Sequence, residues 1–526
     1  MEKRLIIAIA LSVLIIVTFQ FLFPAQKQAP IKSQETAAVV KEDEVKAEQY
    51  VQPAPPADEK ELVAAADRYI VTFSDIGGAV KKIELKNYKN LKSNEPLALS
   101  AETNPSNYIF SIKDTIGTLC LDRAGYRLEH SGDKVIYTLA IKNFEITKIY
   151  TLHNSNNTID LQLLVKNTSS SPAEFGYKII SGSGLVEPRA ADKQLIEVVS
   201  KIDGKTFGFK RPKNNVVVNP GIVSWVAAKT RYFSLIMKPY GTTKSQYHGY
   251  SSGDDLFSGI EMERTTIPAN SRIENKFVLY AGPSIGAELK KLGLEFEESI
   301  NYGFFGGIAK LLLVIAAWFY SVVRNWGVSI ILLSVFLNIV LFPLTMKSFK
   351  SMQKMHELHP QMEKLKLQFK DNPQKLNKEV MELYKKYKIN PLSGCLPLLL
   401  QMPIFVALYQ ALTKSIALRG ASFLWIGDLS MPDAVPIPFE LPVLGNSINI
   451  LPLVMVVLMV AQQKISTKVM GGAVTAEQKQ QQKMMLIIMP IMFGFIFYNM
   501  PSGMVLYWVV NTILTIVEQS VILKNT

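Results

Sequence analysis

Long uninterrupted apolar runs constrain this chain more than anything else in it. The clearest is WGVSIILLSVFLNIVLFPLT at residues 326–345, and similar runs occupy 391–412, 446–463, 484–500 and 502–523. Each is long enough, or nearly so, to cross a hydrocarbon core about 30 Å thick as a helix. With 48% of its 526 residues hydrophobic and bunched in this way, the chain is a membrane protein. A further run at 5–23 follows Glu2, Lys3 and Arg4 and stops before Pro24. It exceeds the apolar core of a typical cleaved signal, and FLFPAQKQAP is a poor cleavage site, so residues 1–25 are expected to form an uncleaved anchor.

Between the first run and the rest, the pattern changes twice. Residues 26–61 are rich in Ala, Pro, Gln, Lys and Glu without apolar periodicity, which describes a disordered tether. From 62 to 283, segments such as RYIVTFSDIGGAVKKIEL and KVIYTLAIKNFEITKIYTL alternate apolar and polar residues between Gly, Asn and Asp turns. A large antiparallel β-sandwich is expected there. Residues 284–325 are expected to form an amphipathic, interfacial helical region, and 326–526 a five-span α-helical core. The core includes a charged helical hairpin at 346–389 broken at KDNP, residues 370–373.

Charge decides the topology. Eleven lysines lie between Lys347 and Lys388 against five acids, and such a block prefers the cytoplasm. If 326–345 is the first crossing after the β region, an N-in start puts that block inside. A crossing at 304–323 would put it outside, so this run is expected to lie in the outer interface. The loop 465–483 then faces the cytoplasm, 414–445 faces out, and six spans leave both termini cytoplasmic. The net charge of +13 gathers beside apolar spans, which fits lipid and topology better than nucleic acid.

The spans carry little chemistry. Cys120 and Cys395 lie in different regions and should not pair, and no zinc, thiol, phosphate-loop or protease motif is present. No catalytic residue, metal or cofactor is expected, so the chain is not read as an enzyme. The spans instead hold neutral polar groups: Ser334 and Asn338 four apart on one helix face, Gln401 and Gln410, and Tyr507, Asn511, Thr512 and Thr515. Such groups often bond between helices. Their number points to a wet cavity, because polar atoms facing lipid are costly.

Five stretches carry a family resemblance. NPLSGCLPLLLQMPIFVALYQAL (390–412), NWGVSIILLSVFLNIVLFPLT before it and PSGMVLYWVVNTILTIVEQ after it resemble the YidC membrane protein insertases, relatives of the mitochondrial and chloroplast oxidase-assembly insertases. VSWVAAKTRYFSLIMKP (223–239) and LYAGPSIGAELKKLG (279–293) resemble the periplasmic domain of the Gram-negative members. The resemblance implies an inner-membrane, multi-pass insertase and chaperone working without ATP. It also implies a hydrophilic groove open to cytoplasm and lipid, where Ser334, Asn338, Gln401, Met402, Phe405, Tyr507, Trp508, Asn511 and Thr512 would meet the client. Nascent membrane proteins would be its clients, with the Sec translocon, the ribosome through cytoplasmic loops, and lipids as further partners of a monomer. Two departures stand out: Asn338 occupies a position where the family usually has Arg, and the ending ILKNT lacks a long basic tail. The alternatives are a membrane-anchored periplasmic carbohydrate-binding protein, since the β region also resembles sugar-mutarotase sandwiches, and a solute channel or transporter.

Overall fold

A computed structural model describes residues 59–90, 94–131, 134–186, 192, 195–210, 217–241, 245–252, 255–369, 372–387, 396–441, 445–469 and 476–524. The anchor at 5–23, nearly all of the tether, Cys395 and the first residues of the expected third span lie outside these. The chain divides into two compact units, residues 1–301 and 302–526.

The first unit is built on antiparallel pairing throughout its sheets. A nine-stranded sheet runs, in spatial order, Lys205–Lys210, Glu197–Ile202, Val223–Lys229, Phe233–Pro239, Arg272–Pro283, Thr158–Asn167, Phe144–Leu152, Lys134–Ile141 and Arg127–Ser131. A five-stranded sheet (Val217–Gly221, Ser245–Ser252, Asp255–Met262, Tyr177–Gly182, Ile112–Asp114), a four-stranded one (Glu61–Ala65, Tyr69–Ser74, Ala79–Lys89, Pro96–Ala101) and a two-stranded one (Ala173–Phe175, Thr265–Ile267) accompany it. Side-chain alternation produces the layers: Val135, Tyr137, Leu139 and Ile141 are buried while the residues between them are not. The five- and nine-stranded sheets approach closely at Gly182, where an added Cβ would stand 2.6 Å from the Ala228 methyl. The sheet begins a little before the expected boundary, since Glu61 already pairs with Ser74.

Lys148 fastens the four-stranded sheet to the nine-stranded one. Its ammonium is fully buried and donates to the carbonyls of Gly77 at 2.7 Å and Phe110 at 2.8 Å, with the Tyr126 ring 5.2 Å away. Burial pushes its pKa down from 10.5 to about 7. Tyr150 adds a parallel tie, its hydroxyl donating to Gly78 O at 2.7 Å.

The expected interfacial region is divided by the structure. Helix α1 (Gly286–Lys291) is a short turn of helix, ended where Gly293 and Glu295 take positive φ values of 68° and 64°. The stretch after it packs on the nine-stranded sheet: Phe296 is buried, Lys201 bridges Glu295 and Glu298 at 2.9 Å each, and Lys229 donates to Ser299 O at 2.6 Å. Residues 284–301 therefore belong to the β unit, because a buried ring and two lysines hold them there.

The second unit is helical: α2 (Gly306–Val323), α3 (Trp326–Glu357), α4 (His359–Gln368), α5 (Pro373–Lys386), α6 (Leu396–Lys414), α7 (Ile450–Val469), α8 (Ala476–Tyr498) and α9 (Ser502–Lys524). Among the described residues, four helical stretches are long and apolar enough to cross a membrane: Gly306–Val323, Trp326–Ser351, Ile450–Thr467 and Ser502–Val521, with Leu486–Tyr498 a shorter apolar one. Boundaries differ from expectation where polar helix formers continue an apolar run. Thus α3 passes through Pro343 and does not stop at Thr345, α8 begins in the Gln-rich stretch before Met484, and the expected span start at 446 is a strand, Gly445–Ile448. Within the hairpin, Asn372 caps α5, its side chain accepting from Lys375 N at 3.1 Å beside Pro373.

Candidate functional site

The neutral polar residues of the spans converge on one helix. Tyr507 and Asn511 stand one turn apart on α9, and each meets a different neighbour. Asn338 of α3 donates through Nδ2 to Asn511 Oδ1 at 2.9 Å and to the Ser334 carbonyl at 2.9 Å. Gln401 of α6 donates through Nε2 to the Tyr507 hydroxyl at 2.8 Å. These two bonds tie α3 and α6 to α9 without any charge, a low-cost way to hold polar groups in hydrocarbon.

The hydroxyls behave differently. Ser334, Thr512 and Thr515 donate to carbonyls four residues back on their own helices, at 2.8, 2.8 and 2.9 Å. Ser334 and Thr512 are buried, so this local bonding is what satisfies them. Interhelical bonding, left open by the sequence, is thus present at Asn338 and Gln401. Asn338, Gln401 and Asn511 are only half-buried, and among the described residues nothing bonds Asn338 Oδ1, Asn511 Nδ2 or Gln401 Oε1.

Beside this seam lies an aromatic cluster. Phe405 meets Trp508 edge-on with centroids 5.2 Å apart, and Phe493 and Phe497 of α8 close on the same indole at 5.5 and 5.2 Å. Met402 does not join it; the side chain turns outward, 40% exposed. Phe493 and Phe497 escaped the sequence analysis because an apolar run gives no sign of which rings face which neighbour.

The connection between α6 and α7 closes one end of the helices. Asp433 Oδ2 accepts from Leu451 N at 2.8 Å, capping α7, and Asn449 Nδ2 donates to Tyr498 O at 2.7 Å. The first amides of α9 donate into the same segment: Ser502 N to Met431 O at 2.7 Å and Gly503 N to Leu429 O at 2.9 Å. Phe423 packs on Gly327 near the start of α3, where its ring leaves no room for a Cβ. Far along α7 and α9, Gln519 donates to Ser466 Oγ at 3.0 Å. Asp433 and Asn449 were legible in principle, being cap-type residues before an apolar run; Gln519 was not.

Two histidines of the β unit are paired with carboxylates. In the β unit His153 lies 2.9 Å from Asp160, and His248 lies 2.7 Å from Glu261, whose carboxyl it holds below its usual range. Neither pairing was visible in the sequence, since the partners come from cross-strand register. Among the described residues no group of three His, Cys, Asp or Glu could hold a metal.

The matching families and the curated relatives agree. The family described as 60Kd inner membrane protein matches residues 318–526, and the YidC periplasmic domain family matches 62–315. The membrane protein insertase YidC of Pelobacter propionicus is 33% identical over all of this chain and 99% of its own. That of Geotalea daltonii is 32% identical with the same coverage, 100% and 99%. A crystal structure of an active YidC insertase with its first transmembrane domain resolved aligns at 19% identity and TM-score 0.36, covering 88% of this chain and 92% of that one.

Proposed function

The chain belongs to the YidC family of membrane protein insertases, and from that premise we propose that it passes the polar segments of newly made inner-membrane proteins along the seam between α3, α6 and α9. It is a multi-pass inner-membrane protein with a periplasmic domain and nascent membrane proteins as clients. The carrying observation is the neutral seam, whose carboxamides Asn338, Asn511 and Gln401 are bonded between helices yet only half-buried. A client's amide or hydroxyl groups bond to these carboxamides in place of water. Moving an unpaired amide into hydrocarbon costs several kcal/mol, so even partial replacement lowers the barrier without a nucleotide.

The asymmetry of the helices fits this use. One end is closed by the capped connection 415–449, expected to face the periplasm, which leaves entry to the cytoplasmic side and to lipid. Helix α2 fits an interfacial position on that outer side: Ala309, Leu312 and Ala316 face the other helices, Leu311, Val314, Trp318 and Val322 form an exposed apolar flank, and Lys310, Ala317 and Ser321 an exposed strip of small or polar residues. Both termini are then cytoplasmic, and ribosome or Sec contacts fall to the cytoplasmic loops and the lipid-facing helices of a monomer.

The test is protease protection of a small single-span client, made in the presence of liposomes containing only the purified protein. Protection above that in empty liposomes, without nucleotide, is the expected outcome. If a set of clients is never protected although the protein is folded, autonomous insertion is wrong.

A further inference from the structure

The α6–α7 connection holds a turn whose residues do not suit water. Phe423 and Ile426 exchange two backbone hydrogen bonds of 2.9 Å, which makes Leu424 and Trp425 the two central residues of a tight hairpin turn. Leu424 takes a φ of 52° at the position where such a turn calls for glycine. It is nevertheless 74% exposed, and Trp425 is 49% exposed. A strained backbone that displays two large apolar side chains carries two costs that a water-facing loop has no reason to keep.

The base of the turn is fixed. Ile426 is buried, and the Phe423 ring packs on Gly327 near the start of α3. The Trp425 indole N–H donates to Asp433 Oδ2 at 3.3 Å, and that same oxygen caps α7 at Leu451. The tip is therefore aimed by the ends of two helices long and apolar enough to span a bilayer. With its polar N–H satisfied inward, Trp425 offers its hydrocarbon edge outward.

We propose that Leu424 and Trp425 form a lipid anchor that inserts into the interface between headgroups and acyl chains at this end of the helices. Continuity selects lipid as the occupant: the tip is held at the ends of α3 and α7, where the hydrocarbon stops, and Trp and Leu are the residue types that partition to that depth. In lipid the exposed apolar area becomes favourable and offsets the strained turn. The anchor is independent of the insertion activity proposed above. Its effect is to hold the closing connection at a fixed depth.

The experiment uses the full chain with Cys120→Ser and Cys395→Ser, a Leu424→Cys site carrying an environment-sensitive fluorophore, and vesicles of phosphatidylethanolamine and phosphatidylglycerol. Nitroxides placed shallow in the acyl chains should quench the label about twofold more than aqueous iodide does, as expected for a side chain at interfacial depth. The same label at exposed Asn270 should show the opposite order. Quenching of the Leu424 label by iodide would place the tip in water, and shielding from both quenchers would place it against protein; either overturns the anchor. Leu424→Gly checks it in unlabelled protein, since glycine suits the turn: amide exchange across 421–431 in lipid nanodiscs should rise severalfold, and unchanged exchange also overturns it.

Discussion

The two units bury polar groups by opposite rules. In the β unit a fully buried lysine, Lys148, rests on two backbone carbonyls, and Lys229 is buried beside Glu197 and Ser299 O. In the helical unit the seam is made of carboxamides, hydroxyls and a phenol, Asn338 to Asn511 and Gln401 to Tyr507, with no charge in either pair. The difference follows from what surrounds each unit. A sandwich in water can bury one charge because loops and turns supply free carbonyls. A helix in lipid already bonds its carbonyls along its own backbone, and here they accept only second, neutral donors such as the Asn338 amide and the Ser334 hydroxyl. The exposed surfaces diverge in the same way, with Val314, Val457, Ile491 and Phe495 outward on the helices.

The comparison can be broken at Lys148. Its folded pKa of about 7 lies below the ordinary 10.5, so between those values the unfolded chain holds a proton that the folded chain has released. Stability then rises with pH across that window, by up to about 1.4 kcal/mol per pH unit, and the burial cost is at its full value below it. Lys148→Met removes this dependence, which pulse proteolysis of the sandwich in urea at each pH would detect. Equal slopes in the two proteins would mean that burial does not lower the proton affinity of Lys148.

A smaller effect is expected from importing a charge into the seam. Asn338→Lys should destabilise the helical unit by less than the ~3 kcal/mol that a lysine costs at the lipid-facing centre of a membrane helix, because the half-buried seam is open to water. Thermal unfolding in nanodiscs measures it, and a loss of the full amount would show that the seam is closed to water. Smallest is the coupling between Asn338 and Asn511. Leucine at either position, and then at both, should give a double-mutant coupling of about 0.6 kcal/mol, in line with other hydrogen bonds between membrane helices. Additive effects would mean that the bond contributes nothing and that the two residues serve the client alone.

How far the sequence reached depends on the kind of periodicity. The strands at 134–152 and 158–167 were readable because alternation with a period of two states both the strand and its buried face. Apolar runs state only that a helix exists, so the ends of α3 and α8, which continue into polar helix formers, came only from the structure. At the seam the residue types were visible in advance, whereas the pairs were not. Asn338 and Asn511 are 173 positions apart, and no spacing rule links them.

Motif resemblance placed this chain with the insertases; beyond that, the sequence by itself determined that it spans a membrane, carries a β-rich domain and gathers neutral polar residues in its spans. Those are properties of composition and local pattern, which hydrophobicity and strand alternation write directly into neighbouring residues. The tertiary structure alone decided that α9 is the helix on which the polar groups meet, that Met402 faces out while Phe405 packs in, that residues 284–301 join the sheet, and that Leu424 is held on a strained turn. Each of these depends on which faces of distant segments touch, and packing fixes that only once every element competes for the same space.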